Sequence, residues 1–184
     1  MARAPTEEPQ GLVYQPELIS AEEEAELLGR FETLRFDPIV LHGRAARRTG
    51  RHFGLDYDYE SRTPKAGEPV PDWLLPARAR AAELAGVEAE ELVEILVQRY
   101  PPGSTIGWHR DAPAFDLVVG LSLGAPARLR FQRGKGERRR VWELVAEPRS
   151  GYVLAGEARR SWEHSIPPTK ELRHSITFRT LRRR

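Results

Sequence analysis

Residues 173–179 read RHSITFR. Alternation in a run rich in β-branched and aromatic side chains marks a β-strand with two unlike faces. Arg173, Ser175, Thr177 and Arg179 share one face, and His174, Ile176 and Phe178 share the other. The second face requires an apolar covering layer, which turns both arginines to the opposite side. At about 3.3 Å of rise per residue their Cα atoms stand roughly 20 Å apart, so two long side chains can converge on the ends of a short dicarboxylate. A guanidinium suits that task because its planar fork binds carboxylate through two hydrogen bonds and never loses its charge. The competing reading is a solvated strand face decorated with arginine.

Outward from this strand, the same kind of run recurs back to residue 92: LVEILVQRY, FDLVVGLSL, ARLRFQ, RVWELVA and GYVLAG. The breakers PPG, GAP, RGKGE, EPRSG, GEARR and IPPTK separate them at the spacing of an antiparallel sandwich or barrel. Further upstream the pattern changes. Leu12–Tyr14 suits a short strand, and Ser20 followed by Glu23 is a capping box that opens a helix over 21–31. A second helix is expected from an Asp72 N-cap to Gly86, with Pro76 in its first turn, where proline costs least. Between the helices, HGRAARRTGRHFGLDYDYE (42–60) reads as hairpins or an ordered loop. The expected architecture is α+β, mainly β: two N-terminal helices packed on an all-β second half, in a single domain over 1–184.

Composition narrows the chemistry. The chain has no cysteine, which excludes disulfides and thiolate zinc sites and leaves imidazole and carboxylate as metal ligands. The opening MARAPTEEPQG has no apolar stretch of signal-peptide length, and no later run approaches a membrane span. A cytoplasmic protein with no membrane association and no evident obligate protein partner is the expectation. Net charge is only +2 but unevenly spread: residues 1–40 hold nine acids and three arginines, whereas 128–184 hold sixteen Lys or Arg and six Glu. Such a basic half can attract polyanions, nucleic acid above all, although a bias toward arginine also arises from genome composition.

GWHRDAP (107–113) adds a metal-ligand pattern. On an extended strand His109 and Asp111 point to the same side, and His164 in SWEHSIPP is the best third ligand. Two histidines and a carboxylate leave three positions open on an octahedral iron, two for a 2-oxoacid and one for oxygen. The alternative is a set of polar residues at a strand's end.

Together, HRD at 109–111, His164 and R173-x-S-x-T-F-R179 resemble the AlkB-type Fe(II)/2-oxoglutarate-dependent dioxygenases. VQRYPPG, LSLGAPARLRF and GYVLAGEARRSWEHSI agree with the same family. The resemblance implies a double-stranded β-helix (jelly-roll) core over 92–180, with Fe(II) held by His109, Asp111 and His164. It implies that Arg173 and Arg179 bind the two carboxylates of 2-oxoglutarate, assisted by Tyr100. Gln98 stands where the family usually has an asparagine that touches the cosubstrate, and Ser175 where the arginine motif usually has an asparagine. Both keep hydrogen-bonding capacity.

The implied activity uses O2 to demethylate an alkylated nucleobase in DNA or RNA, releasing formaldehyde, succinate and CO2. The repair members commonly carry an acidic residue just after the HxD. Here Pro113 takes that place and Asp116 comes later, and the DAPAFD stretch looks closer to the branch that includes the eukaryotic wobble-uridine tRNA enzyme. Segment 42–59 is the expected substrate lid. Arg44, Arg47, Arg48 and Arg51 would meet phosphate, and Phe53, Tyr57 and Tyr59 are the candidates to stack a flipped base. Its bland counterpart is a solvated hairpin whose aromatics pack on the helices. Three rival readings stand beside this one: the same chemistry on a protein side chain or small molecule, a zinc hydrolase, and a non-enzymatic binding module.

Overall fold

The structure is a computed structural model and describes residues 7–41, 44–58 and 63–182. The chain opens with β1 (Leu12–Gln15), α1 (Ala21–Thr33), β2 (Asp37–Leu41), β3 (Arg44–Asp58), β4 (Thr63–Ala66) and α2 (Leu75–Ala85). It continues with β5 (Leu92–Tyr100), β6 (Ile106–His109), β7 (Phe115–Leu123), β8 (Ala127–Arg133) and β9 (Arg140–Ala146). Last come β10 (Gly151–Leu154), α3 (Gly156–Arg160), β11 (Glu163–Ile166) and β12 (Arg173–Leu181). A major sheet runs β1-β10-β7-β12-β5-β3-β2, with β4 paired to β3, and a minor sheet runs β6-β11-β8-β9. Every pairing is antiparallel. Two facing antiparallel sheets with helices on the outside of the larger one make the jelly-roll that the family resemblance implies, an antiparallel sandwich of the kind the strand spacing suggests.

RHSITFR lies at the centre of the major sheet, bonded to β5 on one side and β7 on the other. Its alternation creates two cores. On the outer face Ile176 and Phe178 join Ile95, Val97, Val119 and Leu121 under Leu27 and Phe31 of α1 and Ala77 and Ala81 of α2. Between the sheets, Val118 and Leu154 meet Leu129, Phe131, Trp162 and Ile166. On the central strands β12 and β5 the inner positions around Leu96 are polar: Arg173, Ser175, Thr177 and Arg179 with Glu94 and Gln98.

The capping box at Ser20 forms as expected: Ser20 Oγ accepts from Glu23 N, and Glu23 Oε2 accepts from Ser20 N. Gly86 closes α2 in the left-handed conformation at φ 66°. Asp72 does not cap α2. It opens a 3-10 turn, Asp72–Leu74, that leads into the helix, and no side chain caps either start; Pro76 falls in the first turn of α2, where the missing N–H is harmless.

The N-terminal half is more than two helices, since β1, β2 and β3 extend the major sheet and β4 pairs to β3. The described part of segment 42–59, residues 44–58, is built into that sheet rather than lying over it as a loop. β3 pairs with β2 at its start, with β5 over Thr49–Gly54 and with β4 over Leu55–Asp58. The change of partner occurs at Gly54, which has φ 77° and stands so close to the Val93 carbonyl that a Cβ would approach it to 2.2 Å, a place only glycine fills without strain. His42, Gly43 and Tyr59 lie outside the described residues, as do the side chains of Arg44 and Tyr57.

Candidate active site

His109 is the last residue of β6, and its Cα partner across the minor sheet is His164 of β11. The two rings lie with centroids 4.2 Å apart. The strand ends there, and the chain just beyond it carries Asp111 back toward the pair, with Asp111 Oδ2 3.5 Å from His164 Nε2. One donor atom from each of the three residues lies within 4.8 Å of the others. Strand alternation was expected to place His109 and Asp111 on one side, but β6 ends at His109, and it is the chain beyond the strand that brings Asp111 to the histidines.

The surroundings of the three suit them to hold a metal ion. The Gly107 carbonyl lies 2.9 Å from His109 Nδ1, and since a carbonyl can only accept, Nδ1 is the donor and Nε2 is the ring nitrogen left to face a ligand. Burial pushes His164 down to about 4, against the opposing pull of Asp111, so its imidazole is neutral at pH 7. Burial raises the Asp111 carboxyl, but Arg179, then His164, His109 and Arg159, outweigh it and hold the group ionised well below the usual carboxylate range. Asp111 Oδ1 accepts from Arg179 Nη2 at 3.0 Å, whereas Oδ2 is buried with no hydrogen-bond donor. A buried carboxylate oxygen left without a donor beside two imidazoles is the donor set a divalent ion completes.

The inner face of the central strands continues the site. Register across β12 and β5 pairs Arg173 with Tyr100, Ser175 with Gln98, and Arg179 with Glu94, so all six occupy one face. Arg173 is fully buried. Its Nε donates to Ser122 Oγ at 3.2 Å and its guanidinium stacks on the Tyr100 ring, yet Nη1 and Nη2 have no partner. An interior guanidinium with two empty N–H pairs fits a bidentate carboxylate. Tyr100 donates to Gln98 Oε1 at 2.7 Å. Ser175 is buried beside them.

Glu94 is the residue that the sequence did not reveal. It is 1% exposed, lies in the apolar run LVEILV, accepts from Arg179 Nη1 at 2.6 Å and contacts His52 Nδ1 at 3.0 Å. Its only signal is positional: it lies four residues before Gln98 and six before Tyr100, on their face.

The candidates of the expected lid are not gathered at the triad. Phe53 is in the outer core, edge-on to Trp73. Arg51 shares that outer side by alternation and is held by Asp37 at 2.9 Å and by Glu68. These two side chains are turned away because β3 is a sheet strand and odd positions here face α1 and α2; His52, on the even side, reaches Glu94 instead. Arg47 is exposed and packs over the Pro101–Gly103 turn, and Arg48 is half-buried with Nε unpartnered. Tyr57 pairs through its backbone with Pro64 of β4. Asp116 is drawn to Arg160 at 3.3 Å on the surface.

The sequence profile of the 2OG-Fe(II) oxygenase superfamily matches residues 11–182, and the chain belongs to that family, whose members use Fe(II), 2-oxoglutarate and O2. Within it this is an AlkB-type 2-oxoglutarate-dependent dioxygenase. It is 31% identical over 173 residues to the tRNA (carboxymethyluridine(34)-5-O)-methyltransferase ALKBH8 of Mus musculus, covering 88% of this chain and 25% of that protein. It is 32% identical over 145 residues to the alpha-ketoglutarate-dependent dioxygenase AlkB of Salmonella typhimurium, covering 71% of this chain and 65% of that protein. The solved structure of OsALKBH1 superimposes with a TM-score of 0.68 at 17% identity over 94% of this chain and 97% of that one. A Pseudomonas putida prolyl-4-hydroxylase does so with a TM-score of 0.65 at 15% identity over 94% and 93%; at such identities the likeness is one of fold. Among the described residues no helix is long and apolar enough to cross a membrane.

Proposed function

We propose that this chain oxidatively demethylates an alkylated nucleobase in RNA or DNA, with formaldehyde, succinate and CO2 as co-products. The observation that carries the chemistry is the pair of unsatisfied buried groups in the space between the two sheets: Asp111 Oδ2 beside two imidazoles, and the empty Nη1 and Nη2 of Arg173. In this reading His109, Asp111 and His164 hold Fe(II). Arg173 grips the far carboxylate of 2-oxoglutarate, and Arg179, already on Asp111, orients the end nearest the metal. Tyr100, Gln98 and Ser175 line the path between them.

Bound iron and cosubstrate supply oxygen activation at a carbon held nearby. The protein's own residues position and exclude. His109 presents Nε2 because Gly107 holds its Nδ1 proton. Asp111 stays ionised because Arg179 is next to it, and the wall of Phe131 and Trp162 keeps the inner side of the triad dry. A methyl on a ring nitrogen, once hydroxylated, departs as formaldehyde without a general base, in keeping with the absence of a nucleophile-base pair among the residues described at the site.

The substrate class is supported by the kinship with AlkB and ALKBH8 proteins and by the cationic second half of the chain. The test is succinate and formaldehyde release from a panel of methylated DNA and RNA oligonucleotides, with Asp111→Ala and Arg179→Ala as inactive controls. Coupled release from one oligonucleotide class is the expected result. Slow succinate release that no oligonucleotide stimulates would move the target to a protein side chain or small molecule, and failure to bind 2-oxoglutarate in the presence of metal would sink the assignment of the triad.

A further inference from the structure

Gly120 lies in the middle of β7, facing Thr177 of β12 on one side and Tyr152 of β10 on the other. A Cβ there would fall 2.1 Å from Cζ and 2.4 Å from Oη of Tyr152. The phenol therefore lies flat across Gly120, over the inner face of the central strands. By register this is the stretch between Ser122, which holds Arg173, and Val118, which is opposite Arg179. The hydroxyl feels the charges of Arg173, first among them, and of Asp111 and Arg179, together with the Tyr100 phenol. Burial is the larger influence and raises the phenol to about 12, so the hydroxyl is a neutral donor at any working pH. No protein group bonds to that hydroxyl among the hydrogen bonds described.

Tyr152 is half-buried, and its ring packs at the edge of the inner core, so its O–H is left to meet a ligand rather than a protein group. Here the missing partner of the hydroxyl and the missing partners of Arg173 Nη1 and Nη2 point into the same interior. We propose that Tyr152 is a further cosubstrate-binding residue, its hydroxyl donating to the far carboxylate of 2-oxoglutarate alongside Arg173, with Gly120 as the gap that lets the ring reach across. The inference rests on the reading of Arg173 as the cosubstrate clamp. Nothing in GYVLAG distinguishes Tyr152 from a packing tyrosine; only the register with Gly120 does.

The experiment is calorimetric binding of 2-oxoglutarate to the Mn(II)-loaded protein, compared for wild type, Tyr152→Phe, Gly120→Ala and Arg173→Ala. Pyruvate, a 2-oxoacid without the far carboxylate, serves as a second ligand. A hydrogen bond to a charged group predicts about tenfold weaker 2-oxoglutarate binding by Tyr152→Phe, with Mn(II) affinity and the weaker pyruvate affinity unchanged. Gly120→Ala, which displaces the ring, should act in the same direction. Equal or tighter 2-oxoglutarate binding by Tyr152→Phe overturns the proposal, as does equal weakening of pyruvate, since either means that the ring only fills space. Wild-type affinity in Arg173→Ala would instead remove the clamp on which the inference depends, and so marks the failure of the underlying reading rather than of Tyr152 alone.

Discussion

Asp111 keeps its charge in the interior only because of what surrounds it. Arg179 spans Asp111 and Glu94, and Glu94 in turn meets His52, so the carboxylate proposed to hold the metal is tied through one guanidinium to a second carboxylate that is 1% exposed. Removing one partner of a buried pair leaves an uncompensated charge and costs about 3–5 kcal/mol. Glu94→Ala should fall near the lower end of that range, because Arg179 retains Asp111, and Glu94→Gln should lose less. Urea denaturation measures both, and a loss below about 1 kcal/mol for Glu94→Ala would show that the pair adds nothing to the fold. Arg179 was legible in the sequence because alternation in RHSITFR assigns its face unaided. Glu94 was not, because one acid in an apolar strand reads as a solvent-side position until the neighbouring strand fixes which side is in.

At the scale of elements, α1 is held to the major sheet by aromatic contact as well as by aliphatic packing. His174 of β12 sits with its ring 5.3 Å from Phe31 of α1 and 6.2 Å from Phe36. Burial, with Arg99 and Arg173 adding to it, lowers its pKa to about 4 from the ordinary value near 6.5. The folded state therefore holds His174 neutral. The unfolded chain binds a proton there between pH 6.5 and 4 that the folded chain refuses, so stability falls as pH drops through that window and is full above it. His174→Phe should flatten the decline in melting temperature between pH 7 and 5. His164 titrates in the same window, so part of the slope should persist. An unchanged slope would mean that His174 is hydrated in place. The strands that bury both faces or alternate over seven residues or more were visible from their side chains. β6 and β11, four residues each, were read only around their histidines, and β6 was read too long, since it ends at His109 before Asp111; β3 was obscured because one strand serves three partners.

Across the whole molecule, the sequence showed that the second half is basic but could not show where the cations gather. β6 and β11 turn His109 and His164 inward, which leaves Trp108 on the outer face of the minor sheet, with Arg130 5.0 Å and Arg139 5.8 Å from its ring. The β8–β9 hairpin extends that face with exposed Lys135 and Arg138. An aromatic platform with flanking guanidinium groups one residue from His109 suits a single strand, whose bases stack and whose phosphates need cations. For such a strand log Kd should rise with log salt by about 0.7 for each phosphate neutralised. Lys135→Ala with Arg138→Ala should lower that slope by about one to two phosphates' worth, and Trp108→Ala should weaken binding by about 1–3 kcal/mol at unchanged slope. Neither change should alter 2-oxoglutarate affinity, because both lie on the far side of the sheet from Arg173. Fluorescence anisotropy of a labelled methylated oligonucleotide between 50 and 200 mM salt, roughly the range over which such contacts are lost, decides the matter: a flat response would remove nucleic acid as the partner while leaving the oxygenase site intact.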